Sequence, residues 1–145
     1  MKFKIILLIV ITLFIGSCLQ RNNPLDPVGN PNVIVPDEVR DISCTASPPG
    51  ATHKYVIIRW TANNPENTDG YKVYRGLAYS ANYTCVDTVY TNECNHGSKA
   101  WHTVLPGDYW YRVSGYKDIY DINTHQYIGR LEGRLSEARF VRVPL

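Results

Sequence analysis

The chain has 145 residues and a formal net charge of +2, and Lys2 and Lys4 carry that surplus, so the rest balances 13 basic against 13 acidic groups. That neutrality excludes a general nucleic-acid binder, which needs clustered positive charge for the phosphate backbone. A composition of 44% hydrophobic and 19% charged residues excludes a disordered chain, and eleven Tyr against three Phe and one Met favours half-buried pleated surfaces over packed helices.

The chain opens with a short basic start, Met1 to Lys4, followed by the apolar run Ile5 to Ile15, interrupted only by Thr12. A spanning helix needs roughly 20 apolar residues, so this shorter run reads as the h-region of an export signal. The next residues, Ile15-Gly16-Ser17-Cys18, place an aliphatic and two small residues ahead of a Cys. They resemble the lipobox of bacterial lipoproteins. The resemblance implies cleavage after residue 17, acylation of Cys18 and a lipid bilayer as the first partner. Each buried methylene contributes about 0.8 kcal/mol, so two or three acyl chains anchor firmly where one binds reversibly. In enteric members of that family an Asp after the Cys marks inner-membrane retention. Leu19 stands here, so the resemblance implies a cell-envelope protein of the outer membrane.

Residues 18–35 form the second unit, the acylated Cys and a tether rich in Asn and Pro (LQRNNPLDPVGNPNVIV after Cys18). Pro fixes φ, and Asn and Gly favour turns, so neither a helix nor a central strand is sustained there. Fully extended at ~3.1 Å per residue it holds the domain up to roughly 50 Å from the bilayer.

From residue 36 to 145 the apolar period is two, with turn residues between short runs, which predicts strands. Val39 to Ala46 puts Ile42, Cys44 and Ala46 on one face. Tyr55 to Trp60 puts Val56, Ile58 and Trp60 on one face. A polar loop, 63–70, leads to Tyr71 to Arg75, and further strands are expected around Cys85 to Thr91, Lys99 to Val104, Tyr109 to Gly115 and Arg139 to Val143. Seven short strands define an all-β, immunoglobulin-like sandwich.

Four motifs narrow that class: Ile58 and Trp60 ending the second strand, Gly70-Tyr71-Lys72-Val73 opening the third, Leu105-Pro106-Gly107 with Tyr109, Val113 and Gly115, and Leu135-Ser136-Glu137 before the last strand. Their order and spacing resemble a fibronectin type III domain over most of residues 36–144. Trp60, Tyr71, Tyr109, Tyr111 and Val113 fall on inward phases and read as core. Tyr109, just after Pro-Gly, is placed for a tyrosine corner.

The chain departs from that pattern after Gly115, where nineteen residues, Tyr116 to Arg134, replace a short turn. Both flanks alternate around Asn123-Thr124-His125, so a protruding hairpin is expected. Loops on a rigid scaffold carry binding more often than its faces do, and this one holds Tyr120, Tyr127, Ile128 and Arg130 as the candidate binding residues. The alternative is that its apolar side folds back to complete the core. No Arg-Gly-Asp is present in the hairpin, so integrin-type adhesion is not implied.

Catalytic motifs are absent: there is no Gly-x-Ser-x-Gly, His-Glu-x-x-His, Gly-rich phosphate loop or Cys-x-x-Cys. The four His are scattered, Cys94-Asn95-His96 lacks a second Cys at finger spacing, and Asp118 and Asp121 read as solvated loop carboxylates. No catalytic residue, metal or cofactor is expected. Removing Cys18 leaves Cys44, Cys85 and Cys94, an odd number for an oxidising compartment. Three pairings are possible, and Cys85 with Cys94 closes the shortest loop and is the pairing expected. The function implied is a membrane-anchored, non-catalytic protein-binding or scaffold module. The alternative is a carbohydrate-binding accessory module, which requires Tyr74, Tyr79, Tyr83, Trp101, Trp110, Tyr120 and Tyr127 to form one exposed strip. The partner is an unidentified envelope protein or polysaccharide.

Overall fold

The computed structural model describes residues 25–99 and 103–145. Cys18 and Trp101, both singled out above, lie outside the described residues. Among the described residues there are eight strands: β1 (Arg40–Ala46), β2 (Val56–Thr61), β3 (Gly70–Gly76), β4 (Thr84–Val89), β5 (Glu93–His96), β6 (Gly107–Tyr120), β7 (Tyr127–Glu132) and β8 (Arg139–Val143). A single 3-10 turn, Pro65–Asn67, lies between β2 and β3. No helix among the described residues is long and apolar enough to cross a membrane.

The strands form two antiparallel sheets, one of three strands in the order β1-β2-β5 and one of five in which β4-β3-β6 is extended by both β7 and β8. This is the all-β, fibronectin type III-like sandwich. Alternation along β2 explains it locally: Val56 and Ile58 are wholly buried, and Trp60 is 5% exposed. Tyr71 and Val73 on β3 and Tyr109, Tyr111 and Val113 on β6 answer from the opposing sheet, all buried. Trp60 meets Tyr71 edge to face at 5.3 Å across the core. The indole Nε1 of Trp60 finds no hydrogen-bond partner among the described residues, so the ring is held by packing alone. The Tyr109 hydroxyl donates to the Leu105 carbonyl at 2.9 Å, which is the expected tyrosine corner.

A buried polar contact also joins the sheets. His96 on β5 and Tyr111 on β6, 2% and 0% exposed, share a 2.7 Å hydrogen bond between Nδ1 and the phenol oxygen. Burial pushes the Tyr111 phenol well above its ordinary range. A satisfied pair in a low-dielectric core fixes the register of two strands that do not otherwise pair.

One sequence expectation is corrected. The fifth strand among the described residues is Glu93–His96; of the expected run Lys99 to Val104, residues 99, 103 and 104 are not strand and 100–102 lie outside the described residues. The apolar signal at Val104 was real, for that residue is buried, but it reaches the core from the loop ahead of Pro106. The expected last strand, Arg139–Val143, is present as β8 and pairs with residues 107–111 of β6, while β7, the second arm of the expected hairpin, pairs with residues 116–120 along the same edge, with a break between the two. Ser136 bridges the break. Its amide donates to the Val113 carbonyl and its hydroxyl accepts from the Val113 amide, both at 2.9 Å.

Candidate functional site

The long strand β6 carries its partners past the end of the three-stranded sheet, because β2 pairs only as far as Thr61 while β6 continues to Tyr120. The expected hairpin exists, formed by the distal half of β6 and β7. Its tip, 121–126, is ordered by Asp121, whose carboxylate accepts from the amides of Asn123 at 2.9 Å and Thr124 at 2.7 Å. Those bonds hold the Asp121 carboxyl below its ordinary range. His125 completes the turn with a left-handed φ of 56°.

The four candidate binding residues are separated by this geometry. Tyr120 and Tyr127 face each other across the hairpin with ring centroids 5.8 Å apart, and both rings are exposed. Ile128 falls at the register shift and is half-buried. Arg130 is occupied: its Nε and Nη2 donate to the two Asp118 oxygens at 2.7 and 2.9 Å, and its guanidinium covers the Tyr116 ring at 3.8 Å. The pair lowers the Asp118 carboxyl and raises the guanidinium. Of the apolar residues in this segment, Tyr116 and Ile119 are each 1% exposed, whereas Ile122 stays open to solvent. The reading in which the apolar side folds back on the sandwich holds for the base of the hairpin, and the tip stays exposed.

The end of the tether packs on that base. Pro36 is buried over Gly115 and Gly133, where an added Cβ would lie 3.2 Å from the Pro36 Cβ and 2.4 Å from the Pro36 oxygen respectively. Only glycine admits such an approach at residue 133. Asn67 donates to the carbonyls of Ile34 and Val35, and Asn30, 5% exposed, donates to the Tyr120 carbonyl at 3.4 Å. Residues 30–36 therefore lie along the hairpin.

A second surface, which brings together Tyr74, Tyr79, Tyr83 and Trp110 of the aromatic strip weighed from the sequence, is the outer face of the five-stranded sheet. Residues on the outward phases of β3, β6, β7 and β8 meet there. Trp110 packs on Phe140 at 4.9 Å. Tyr83 lies over Gly76, which is paired with Trp110. Arg112 is stacked between Tyr83 and Tyr79, at 4.9 and 5.8 Å, with its Nε buried. Beside it, Glu132 accepts from Lys72 at 2.6 Å, from Ser114 at 2.6 Å and from the Tyr74 hydroxyl. Burial opposes ionisation of Glu132, but those three donors outweigh it and leave the carboxyl below its ordinary range. The sequence signal for this face was the even-numbered phase of β3 and β6. Arg112, Glu132 and Phe140 were missed because strands β3, β6, β7 and β8 are far apart in sequence.

Among the described residues the cysteines Cys44, Cys85 and Cys94 are all free. The expected Cys85 to Cys94 bridge is not formed, because Cys85 pairs with Tyr74 on the exposed side of one sheet while Cys94 points into the core from the other. Cys44 and Cys94 both pair with Ile58 from opposite sides, which sets them two strand spacings apart, about 10 Å, beyond disulfide reach. Burial pushes both thiols up to about 12.

Among the described residues no group of three His, Cys, Asp or Glu side chains is placed to hold a metal ion. A groove of about 530 Å³ runs beside the β1 bulge, lined by Glu38, Arg40, Asp41 and Glu137 among others. Its hydroxyl, that of Ser136, is buried and engaged by the Val113 amide and the Glu137 carbonyl.

No protein-family model and no curated protein matches the chain. Solved structures similar to it include a myokine structure, at 12% identity and TM-score 0.48, covering 76% of this chain and 99% of that one. Titin kinase and its flanking domains are similar at 15% identity and TM-score 0.45, covering 72% of this chain and 17% of that one. Domains d3-d4 of the rat CD45 extracellular region are similar at 9% identity and TM-score 0.45, covering 76% of this chain and 51% of that one. The class defined by the described geometry is a β-sandwich with an aromatic face and a projecting hairpin.

Proposed function

We propose that the chain is a lipid-anchored, non-catalytic binding module of a bacterial cell envelope that engages an envelope protein through the outer face of its five-stranded sheet. The observation that carries the reading is the continuous array of Phe140, Trp110, Tyr83, Arg112 and Tyr79 on that face. Trp, Tyr and Arg are the residues that dominate interface energetics, and here their side chains are pre-ordered by one another, which lowers the entropy lost on binding. Anchoring rests on the apolar run and the lipobox resemblance ending at Cys18.

A photo-crosslinking residue placed at Tyr79 in living cells tests this, with Thr45 on the outer face of the other sheet as control. The expected result is a discrete adduct from position 79, absent from position 45 and lost on Trp110→Ala. Equal adducts from both positions overturn it.

A second reading, a polysaccharide on the same face, is favoured by one observation: Tyr74, Tyr79, Tyr83 and Trp110 share one face, as sugar stacking requires. Sedimentation of the purified protein with cell-wall sacculi, lost on Trp110→Ala, selects this reading over the first.

A further inference from the structure

We infer that the hairpin tip and the docked tether together form a bilayer-contacting end, which seats the sandwich on the membrane in one orientation with its far end directed away. The inference rests on the proposed acylation of Cys18.

Three observations lead to it. The first is where the anchor chain joins the domain. Asn30 bonds the Tyr120 carbonyl and Pro36 lies over Gly115 and Gly133, so the chain coming from Cys18 meets the sandwich at the hairpin and not at its opposite end. The second is the composition of what this end exposes. Val28 is 93% exposed, Val35 56%, Ile34 52%, Tyr127 57%, Tyr120 50% and Ile122 45%, with the two tyrosine rings facing each other, whereas the opposite end, among the described residues, exposes Leu77, Tyr79, Leu105 and Leu145 without such a pair. Tyrosine with aliphatic neighbours is the composition of a membrane interface, where the ring is buried and the hydroxyl stays wet. The third is length. Only residues 19–29 separate Cys18 from the docked segment, about 40 Å at full extension. The opposite end of β6 lies about 45 Å further along the strand. A tether shorter than the domain, fixed at the hairpin end, delivers that end to the bilayer and keeps the other off it.

The charges at the tip are compatible with the headgroup layer. Asp121 is already solvated by two backbone amides of its own turn, and His125 lies beside it. Arg130 and Asp118 are paired with each other at the base. No charged group of the tip has to enter hydrocarbon for Ile122 and the two tyrosines to reach the interface.

The arrangement also separates two tasks. The aromatic face of the five-stranded sheet stands beside the membrane contact and not within it, so a partner can approach along the side of an oriented domain.

The test uses the full mature protein reconstituted in vesicles of phosphatidylethanolamine and phosphatidylglycerol at a ratio of about 3:1, with and without bromine on the acyl chains. Ile122→Trp reports on the tip. Leu77→Trp, at the end of the sandwich beyond Gly76, reports on the opposite pole, where Leu77 is 71% exposed. The wild-type signal from Trp60, Trp101 and Trp110 is subtracted. The expected result is that brominated lipid at least halves the added fluorescence of Ile122→Trp and leaves that of Leu77→Trp unchanged. Tyr127→Trp serves as a second probe of the tip and is expected to follow Ile122→Trp. Intact mass of the same preparation reports acylation of Cys18. An acylated protein in which neither tip probe is quenched, or in which both poles are quenched alike, overturns the seated orientation while leaving the anchor in place. An unacylated Cys18 overturns both.

Discussion

The sandwich core and the hairpin end share the strand β6, yet different forces hold them. Between Gly107 and Gly115, β6 faces a second sheet, and its inward side chains interlock with Trp60, Ile58 and Val56 over apolar contacts, with the His96–Tyr111 hydrogen bond set among them. Beyond Gly115 there is no second sheet. The inward face is met instead by the tether, held by backbone carbonyls and two glycines, and the outward face by the Arg130–Asp118 pair. The comparison teaches that a strand extended past its partner sheet needs a substitute layer, and that a polar linker serves where glycine permits close approach.

The largest effect is expected in the core. Trp60→Ala removes a ring packed on Tyr71 and leaves a cavity, which costs about 3–5 kcal/mol. The urea midpoint is expected to fall accordingly with an unchanged slope. A small loss would mean that the hairpin end carries more of the stability than its contacts indicate.

Next is Gly133→Ala, which places a Cβ 2.4 Å from the Pro36 oxygen. The tether must lift away, at a cost on the order of 1–3 kcal/mol. Amide exchange at Val33 and Ile34, which now donate to Asn30 and Asn32, is expected to accelerate while β2 is unaffected. Uniform acceleration throughout the sheets would show that the two regions unfold as one.

Acid titration probes the outer face. Because Glu132 is held below its unfolded value of about 4.3, its bonds to Lys72, Ser114 and Tyr74 contribute fully above that pH. The contribution is lost as pH falls through the lower folded value. Glu132→Gln is therefore expected to be less stable than wild type at pH 7, with the gap closing below about pH 4. A constant gap from pH 7 to 3 would refute the assignment.

The smallest effect is at the tip. Tyr120→Ala removes one exposed cross-strand ring pair, and about 0.2–1 kcal/mol is expected. A larger loss in thermal unfolding would place the tip among the structural elements.

Much of the core was legible because alternation at period two is a local property. Val56, Ile58 and Trp60, then Tyr71 and Val73, announce a buried face within six residues, and each turned out buried. The tyrosine corner was legible for the same reason, since the Tyr109 hydroxyl reaches only four residues back. The fifth strand was not legible. Its four residues, Glu93–His96, include Asn95 and are followed by Gly97, which read as turn, and His96 became core only by meeting Tyr111.

What the sequence alone determined about this protein is therefore the sandwich class, the inward phases and the existence of a long hairpin after Gly115. These follow from side-chain alternation and turn chemistry, which act over a few residues. The tertiary structure alone decided that Arg130 is spent on Asp118 and Tyr116, that Cys85 is exposed on one sheet while Cys94 is buried on the other, and that the tether lies along the hairpin. It also decided that Phe140, Trp110, Tyr83, Arg112 and Tyr79 form one face. Those outcomes depend on which strands become neighbours, and no short-range pattern encodes the pairing of residues that lie many positions apart.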